Sequence, residues 1–99
     1  MNMYNPPHPG EFIKEIYMDP FGLTGRQLAI TLNVAPSTLN RILNGASGIT
    51  SEMAIKLSKA IGRSPESWLS MQDSYDLWIA RKKVDLKKIK KIDFDALSV

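Results

Sequence analysis

Read along its apolar positions, the chain divides into short helical segments with clear start and stop signals. Leu39, Ile42 and Leu43 fall at i, i+3 and i+4, one face of an α-helix. On the opposite face Ser37, Arg41 and Asn44 recur at i, i+4 and i+7, with Asn40 beside them. Pro36 suits the first helical position, where a missing N–H is no loss, and Gly45 suits a left-handed residue that ends the helix. Just upstream, Thr24 is an N-cap for a helix through Leu32. Its inner face is Leu28, Ala29 and Leu32, and Arg26, Gln27 and Ile30 point outward. Between the two helices lies Asn33-Val34-Ala35, in which Asn33 tolerates the positive φ of a tight turn.

The same reading places three more helices. The first starts at Pro9, buries Ile13, Ile16 and Tyr17 with Phe12 flanking, and ends at Asp19-Pro20 and Gly22. The fourth is capped by Thr50, turns Met53 or Ala54, Leu57 and Ile61 inward, and stops at Gly62. Ser64-Pro65-Glu66 opens the fifth, which runs to about Lys82 with Trp68, Met71, Tyr75, Trp78 and Ile79 on one stripe. Trp68 reads as core. Tyr75, Trp78 and Ile79 lie farther from the body, where a dimer or partner interface competes with intramolecular packing. Beyond them lysine pairs alternate with Leu86, Ile89, Ile92 and Phe94, a pattern open to a short helix, an added strand or a loose arm. The expected architecture is all-α. An extended lead-in covers 1–8, a five-helix domain 9–82 with its helix-turn-helix unit at about 24–44, and a basic tail 83–99.

Composition narrows the function. Ninety-nine residues make one small domain, and 43% hydrophobic with 23% charged residues describes an ordinary globular chain. With no cysteine there is no disulfide framework and no thiolate nucleophile or metal ligand, and His8, the sole histidine, makes a metal site a poor reading. No cofactor is expected. No nucleophile–base pair, phosphate loop or metal cluster stands out, so an enzyme is the poorest candidate. The lead-in lacks the apolar core of a secretory signal, and no apolar run approaches the roughly 20 residues of a bilayer span. The expected location is cytoplasmic, with no membrane partner.

Charge is distributed unevenly. Residues 1–80 carry six basic and seven acidic side chains, whereas residues 81–99 carry seven basic and three acidic ones. Between Thr24 and Thr50 there are two arginines and no acid. A weakly positive strip thus sits in a near-neutral body that bears a basic tail.

Two helices joined through a short turn can seat the second in the DNA major groove while the first touches the backbone. Ala29 supplies the small residue at the crossing, and Leu28, Leu32, Val34, Leu39 and Ile42 supply the locking contacts. Small polar, amide and guanidinium groups along the outer stripe suit base edges and phosphates. The expected DNA-contacting residues are therefore Arg26, Gln27, Ser37, Thr38, Asn40, Arg41 and Asn44.

Leu28-Ala29, Asn33-Val34 and the run Ser37 to Gly45 resemble the lambda-repressor-like, Cro/C1-type (XRE) helix-turn-helix. His8-Pro9-Gly10-Glu11, Gly48 to Ala54, Lys56 to Ala60, Ser64 to Leu69 and Tyr75-Asp76-Leu77-Trp78 are similar to the HigA-type antitoxin branch of that family. The likeness covers residues 8–82. It implies a homodimer that reads a palindromic operator, represses its own operon and neutralises a small RelE-like (HigB-type) mRNA-cleaving toxin. A stand-alone Cro/C1-type repressor without a toxin is the alternative. Three positions depart from the common pattern: Gly25 stands where most Cro/C1-type domains carry Gln, Asn33 where Gly is usual, and Ala35 where Ser often caps the recognition helix.

Overall fold

Each helix begins where the sequence supplies a cap or a proline, and three of them end in the same way. The computed structural model describes residues 5–97; the first four residues of the lead-in and the last two of the tail lie outside it. Five helices build the domain: α1 (Pro9–Phe12), α2 (Gly25–Leu32), α3 (Pro36–Leu43), α4 (Ser51–Ala60) and α5 (Pro65–Lys83). A single further turn, α6 (Phe94–Leu97), lies in the tail, and no strand forms among the described residues. Side-chain oxygens of Thr24, Thr50 and Ser64 accept the N–H three residues on, at Gln27, Met53 and Ser67. These are the N-caps expected of those residues.

At the ends of α2 and α3, and after α1, two amides reach back past a left-handed residue to the last turn's carbonyls. Leu23 and Gly22 N–H donate to Met18 and Asp19; Val34 and Asn33 to Ala29 and Ile30; Ala46 and Gly45 to Arg41 and Ile42. The left-handed residues are Gly22, Asn33 and Gly45. Asn33 takes φ 56°, so asparagine serves where glycine is the usual turn residue.

The core gathers Ile13 from the first helical segment, Leu28, Ala29 and Leu32 from α2, and Leu39, Ile42 and Leu43 from α3. Met53, Ala54 and Leu57 from α4 complete it with Trp68 of α5. Trp68 is fully buried and its indole N–H donates to the Gly62 carbonyl. The expected inner faces of α2 to α4 hold, with Ile61 only partly buried.

The first helix differs from expectation. After Phe12 the backbone widens into a π-helical segment, Ile13–Met18, and tightens into a 3₁₀ turn, Asp19–Phe21. Pro20 has no N–H to give, so regular α-helical bonding cannot pass through it. The wider turn rotates the phase: Met18 is buried and Ile16, expected inside, is 47% exposed.

The α5 helix, 19 residues long, outruns the body. Past it, residues 84–97 are all exposed. The Cα radius of gyration is 18.0 Å, against about 13 Å for a compact chain of this length, and the longest dimension is 61 Å. The body carries a projecting arm.

Candidate nucleic-acid interface

Helix α2 opens with a reciprocal cap. Thr24 accepts from the Gln27 amide, and the Gln27 side-chain oxygen accepts from the Thr24 amide at 2.9 Å. That bond uses the acceptor end of Gln27 and leaves its NH₂ to donate outward. Arg26, next to it, is exposed. A Cβ built on Gly25 would lie 3.5 Å from Asn40 Oδ1 and 3.8 Å from a Leu43 methyl. The start of α2 therefore abuts the outer stripe of α3, and the departure to glycine leaves backbone in a place where a longer side chain is usual.

The turn Asn33–Ala35 then sets α3 across α2. Ala35 makes no side-chain cap, as its methyl dictates, and Pro36 occupies the first position of α3. Leu39, Ile42 and Leu43 are buried, whereas Ser37, Thr38, Asn40, Arg41 and Asn44 are all exposed. The five outer residues expected on α3 thus share one solvent-facing side, flanked at the start of α2 by Arg26 and Gln27. The strip from Thr24 to Thr50 contains no acidic group to repel a phosphate.

What holds α3 at that angle is less visible in the sequence. Gly10 packs directly on the α3 backbone: a Cβ there would overlap the Ile42 carbonyl and lie 2.8 Å from Leu43 Cα. Gln72 of α5 is buried, accepts from the Ile49 amide at 2.8 Å and donates to Asp76 Oδ1 at 3.0 Å. It thereby ties the loop after α3 to α5. A Cβ on Gly48 would meet the Gln72 amide group at 3.0 Å, so this loop also lies close. His8 is buried, and its Nδ1 accepts from the Gly10 amide at 3.0 Å, capping α1. Its ring stands edge-on to Tyr75 at 5.0 Å. Gln72 and His8 were not expected as supports. The one sequence signal for Gln72 is its place four residues after Trp68, inside the apolar stripe of α5.

Of the candidate interface residues, Tyr75 is half-buried with His8 as its partner. Trp78 and Ile79 are half-buried, and the Lys82 ammonium sits 3.4 Å from the Trp78 ring centroid. Burial pushes the His8 imidazole below its ordinary value, against smaller opposing effects of Asp76, the Ser47 carbonyl and Glu11. A base whose folded pKa is depressed binds its proton more readily unfolded, so stability is full above about 6.5 and falls as pH drops below it. Protonation also removes the acceptor that caps Gly10. The expected result is a thermal midpoint that declines from pH 7 to pH 5, with His8→Asn, which keeps a capping acceptor, flattening that part of the decline.

A helix-turn-helix family model matches residues 13–68, more than half of the chain. An addiction-module antidote protein of the HigA family from Coxiella burnetii superposes with a TM-score of 0.82 at 36% identity, covering 92% of this chain and all of that one. The chain belongs to the HigA-type branch of the Cro/C1-type helix-turn-helix family. An uncharacterised HTH-type transcriptional regulator of Escherichia coli, YddM, is 41% identical over 93% of this chain and 97% of its own length. The antitoxin GraA, solved in complex with its operator, matches with a TM-score of 0.84 at 31% identity, covering 94% of this chain and 97% of that one. The family is one of DNA-binding regulators. Among the described residues no helix is long and apolar enough to cross a membrane.

Proposed function

We propose that this chain is the DNA-binding antitoxin of a toxin–antitoxin pair, acting as a homodimer on a palindromic operator in its own promoter and neutralising a RelE-like, RNA-cutting toxin. The observation that carries the DNA role is the split of α3, with Leu39, Ile42 and Leu43 buried and a continuous polar stripe exposed opposite them. GraA, of the same fold, is solved on its operator, which supports the same use of this helix.

In this reading Asn40, Arg41 and Asn44 meet base edges, and Ser37 and Thr38, near the start of α3, meet the backbone or adjacent bases. The first N–H groups of α2, which have no partner within the helix, receive a phosphate together with Arg26 and the free amide of Gln27. Gly25 lets the DNA backbone approach that helix end closely. Two such units about a two-fold axis read half-sites about 34 Å apart. The outer part of α5, with Trp78 and Ile79, lies on the partner side, while Tyr75 anchors it to the body through His8. With only two arginines on the reading strip, operator affinity has a modest salt dependence, each released counterion contributing a slope of about 0.9.

The test is to titrate the chain onto its upstream DNA and onto scrambled DNA of equal length, with and without the product of the neighbouring small gene. Specific retention of the upstream fragment, and co-purification of the neighbouring product as a complex that suppresses its RNA cleavage, are the expected results. Equal affinity for both DNAs removes the operator role. Specific DNA binding with no partner protein leaves a stand-alone repressor.

A further inference from the structure

The arm past α5 has a pattern that neither the body nor operator DNA uses. Leu86, Ile89, Ile92, Phe94 and Leu97 are each more than half exposed, Ile89 at 67% and Phe94 at 71%. Four lysines, Lys87, Lys88, Lys90 and Lys91, are interleaved with them. Phosphate contact needs the lysines but has no use for the apolar residues, so the arm is built for a surface that is both apolar and acidic.

One surface of the body has that character. Along the first helical segment Glu11, Glu15 and Asp19 are exposed at four-residue intervals, and the same stretch exposes Ile16 at 47% and Phe21 at 76%. Lys14 is its one basic group and is half-buried. The exposure of Ile16 follows from the π-helical turn, which moves it from the core to the acidic side.

We infer that in the homodimer each arm lies across its partner's first helical segment, lysines against Glu15 and Asp19, apolar side chains against Ile16 and Phe21. The inference rests on the homodimer reading and names its contact surface. Pairing of the two arms with each other in the register centred on Ile89 is disfavoured by charge. About Ile89 a two-fold pairing sets Lys88 against Lys90, Lys87 against Lys91 and Asp85 against Asp93, like charge on like. Exchange onto the acidic segment instead sets the arm lysines against Glu15 and Asp19, and the two-fold axis makes each contact twice.

Charge exchange tests this. The full-length chain is studied by sedimentation equilibrium without DNA, as wild type, as an arm variant (K88E, K90E and K91E together) and as a segment variant (E15K with D19K). All substituted positions are exposed or on the arm, and circular dichroism checks that both variants fold. Wild type is expected to dimerise, and each variant alone to dissociate with a constant raised at least tenfold. An equimolar mixture is expected to recover a heterodimer, because there acidic arm meets basic segment and basic arm meets acidic segment. Dimers unchanged in both variants, or no recovery on mixing, overturn the arm assignment and leave the homodimer reading intact. A monomeric wild type that still shifts its operator overturns the homodimer itself and points to an arm folded on its own body. Unchanged dimers with a lowered salt slope of operator binding in the arm variant assign the lysines to DNA instead.

Discussion

Arg41→Ala is expected to weaken operator binding by about 30-fold to about 25,000-fold while leaving the fold unchanged. A bidentate arginine–guanine pair contributes about 1–3 kcal/mol of discrimination, and a two-fold dimer loses it at both half-sites, about 2–6 kcal/mol together. The side chain is exposed on the outer stripe of α3, and exposed substitutions of this kind change stability by about 0.5 kcal/mol or less. A thermal midpoint within about 3 °C of wild type is therefore the control. Arg41→Lys separates two roles. A guanidinium fork on guanine is not replaced by an ammonium, so affinity stays low; a phosphate contact is largely kept by the retained charge. Operator affinity unchanged by Arg41→Ala, measured by fluorescence anisotropy, would remove α3 as the reading helix.

The outer polar stripe of α3 was legible because its causes are local. Apolar residues at i, i+3 and i+4, a proline at the first position and a glycine at the end are all written within Pro36 to Gly45, and the helix they specify is the one that forms. The caps at Thr24, Thr50 and Ser64 were legible for the same reason. What escaped depends on partners distant in sequence or on a change of helical phase. Gln72 looks like a polar interruption of an apolar stripe until the Ile49 amide, 23 residues away, is seen to need an acceptor. Ile16, expected inside, turned outward and Met18 turned inward because the π-helical turn adds a residue to one turn, which a 3.6-residue period cannot anticipate. Gln27 was expected at DNA from its outward place at the start of the second helix; the structure gives half of its amide to the Thr24 cap.

In the proposed role, the supports of α3 account for how a weakly charged helix discriminates. Few phosphates can be neutralised by two arginines, so sequence reading depends on holding the amides and the guanidinium in one geometry. Helix α3 is fixed at both ends by backbone: at its start by Pro36 and the left-handed Asn33, at its end by paired amides on the Arg41 and Ile42 carbonyls. Gln72 and His8 then bind its flanking loop and the first helix to α5.

Gly10→Ala is the severest test of that scaffold. A methyl at this position would overlap the Ile42 carbonyl, 2.7 Å from its carbon and 2.8 Å from Leu43 Cα. These are backbone atoms inside a hydrogen-bonded helix, so no rotamer change makes room, and α1 must move away from α3. Overpacking a core costs about 1–3 kcal/mol, occasionally more, and this one falls at the upper end because nothing flexible can yield. A loss of about 3 kcal/mol is a large share of the roughly 5–15 kcal/mol that stabilises a domain, and it lowers the thermal midpoint by about 10–25 °C. Operator affinity should fall as well, even at temperatures where the variant is folded, because α3 is displaced. Gly25→Ala is the matched control. Its added methyl would meet Asn40 Oδ1 at 3.5 Å and Leu43 at 3.8 Å, ordinary contacts, and the smaller freedom of the unfolded chain stabilises by about 0.4–1 kcal/mol. Two identical chemical changes should thus move the melting temperature in opposite directions. A Gly10→Ala chain that melts with wild type would show that α1 does not seat the reading helix through this backbone contact.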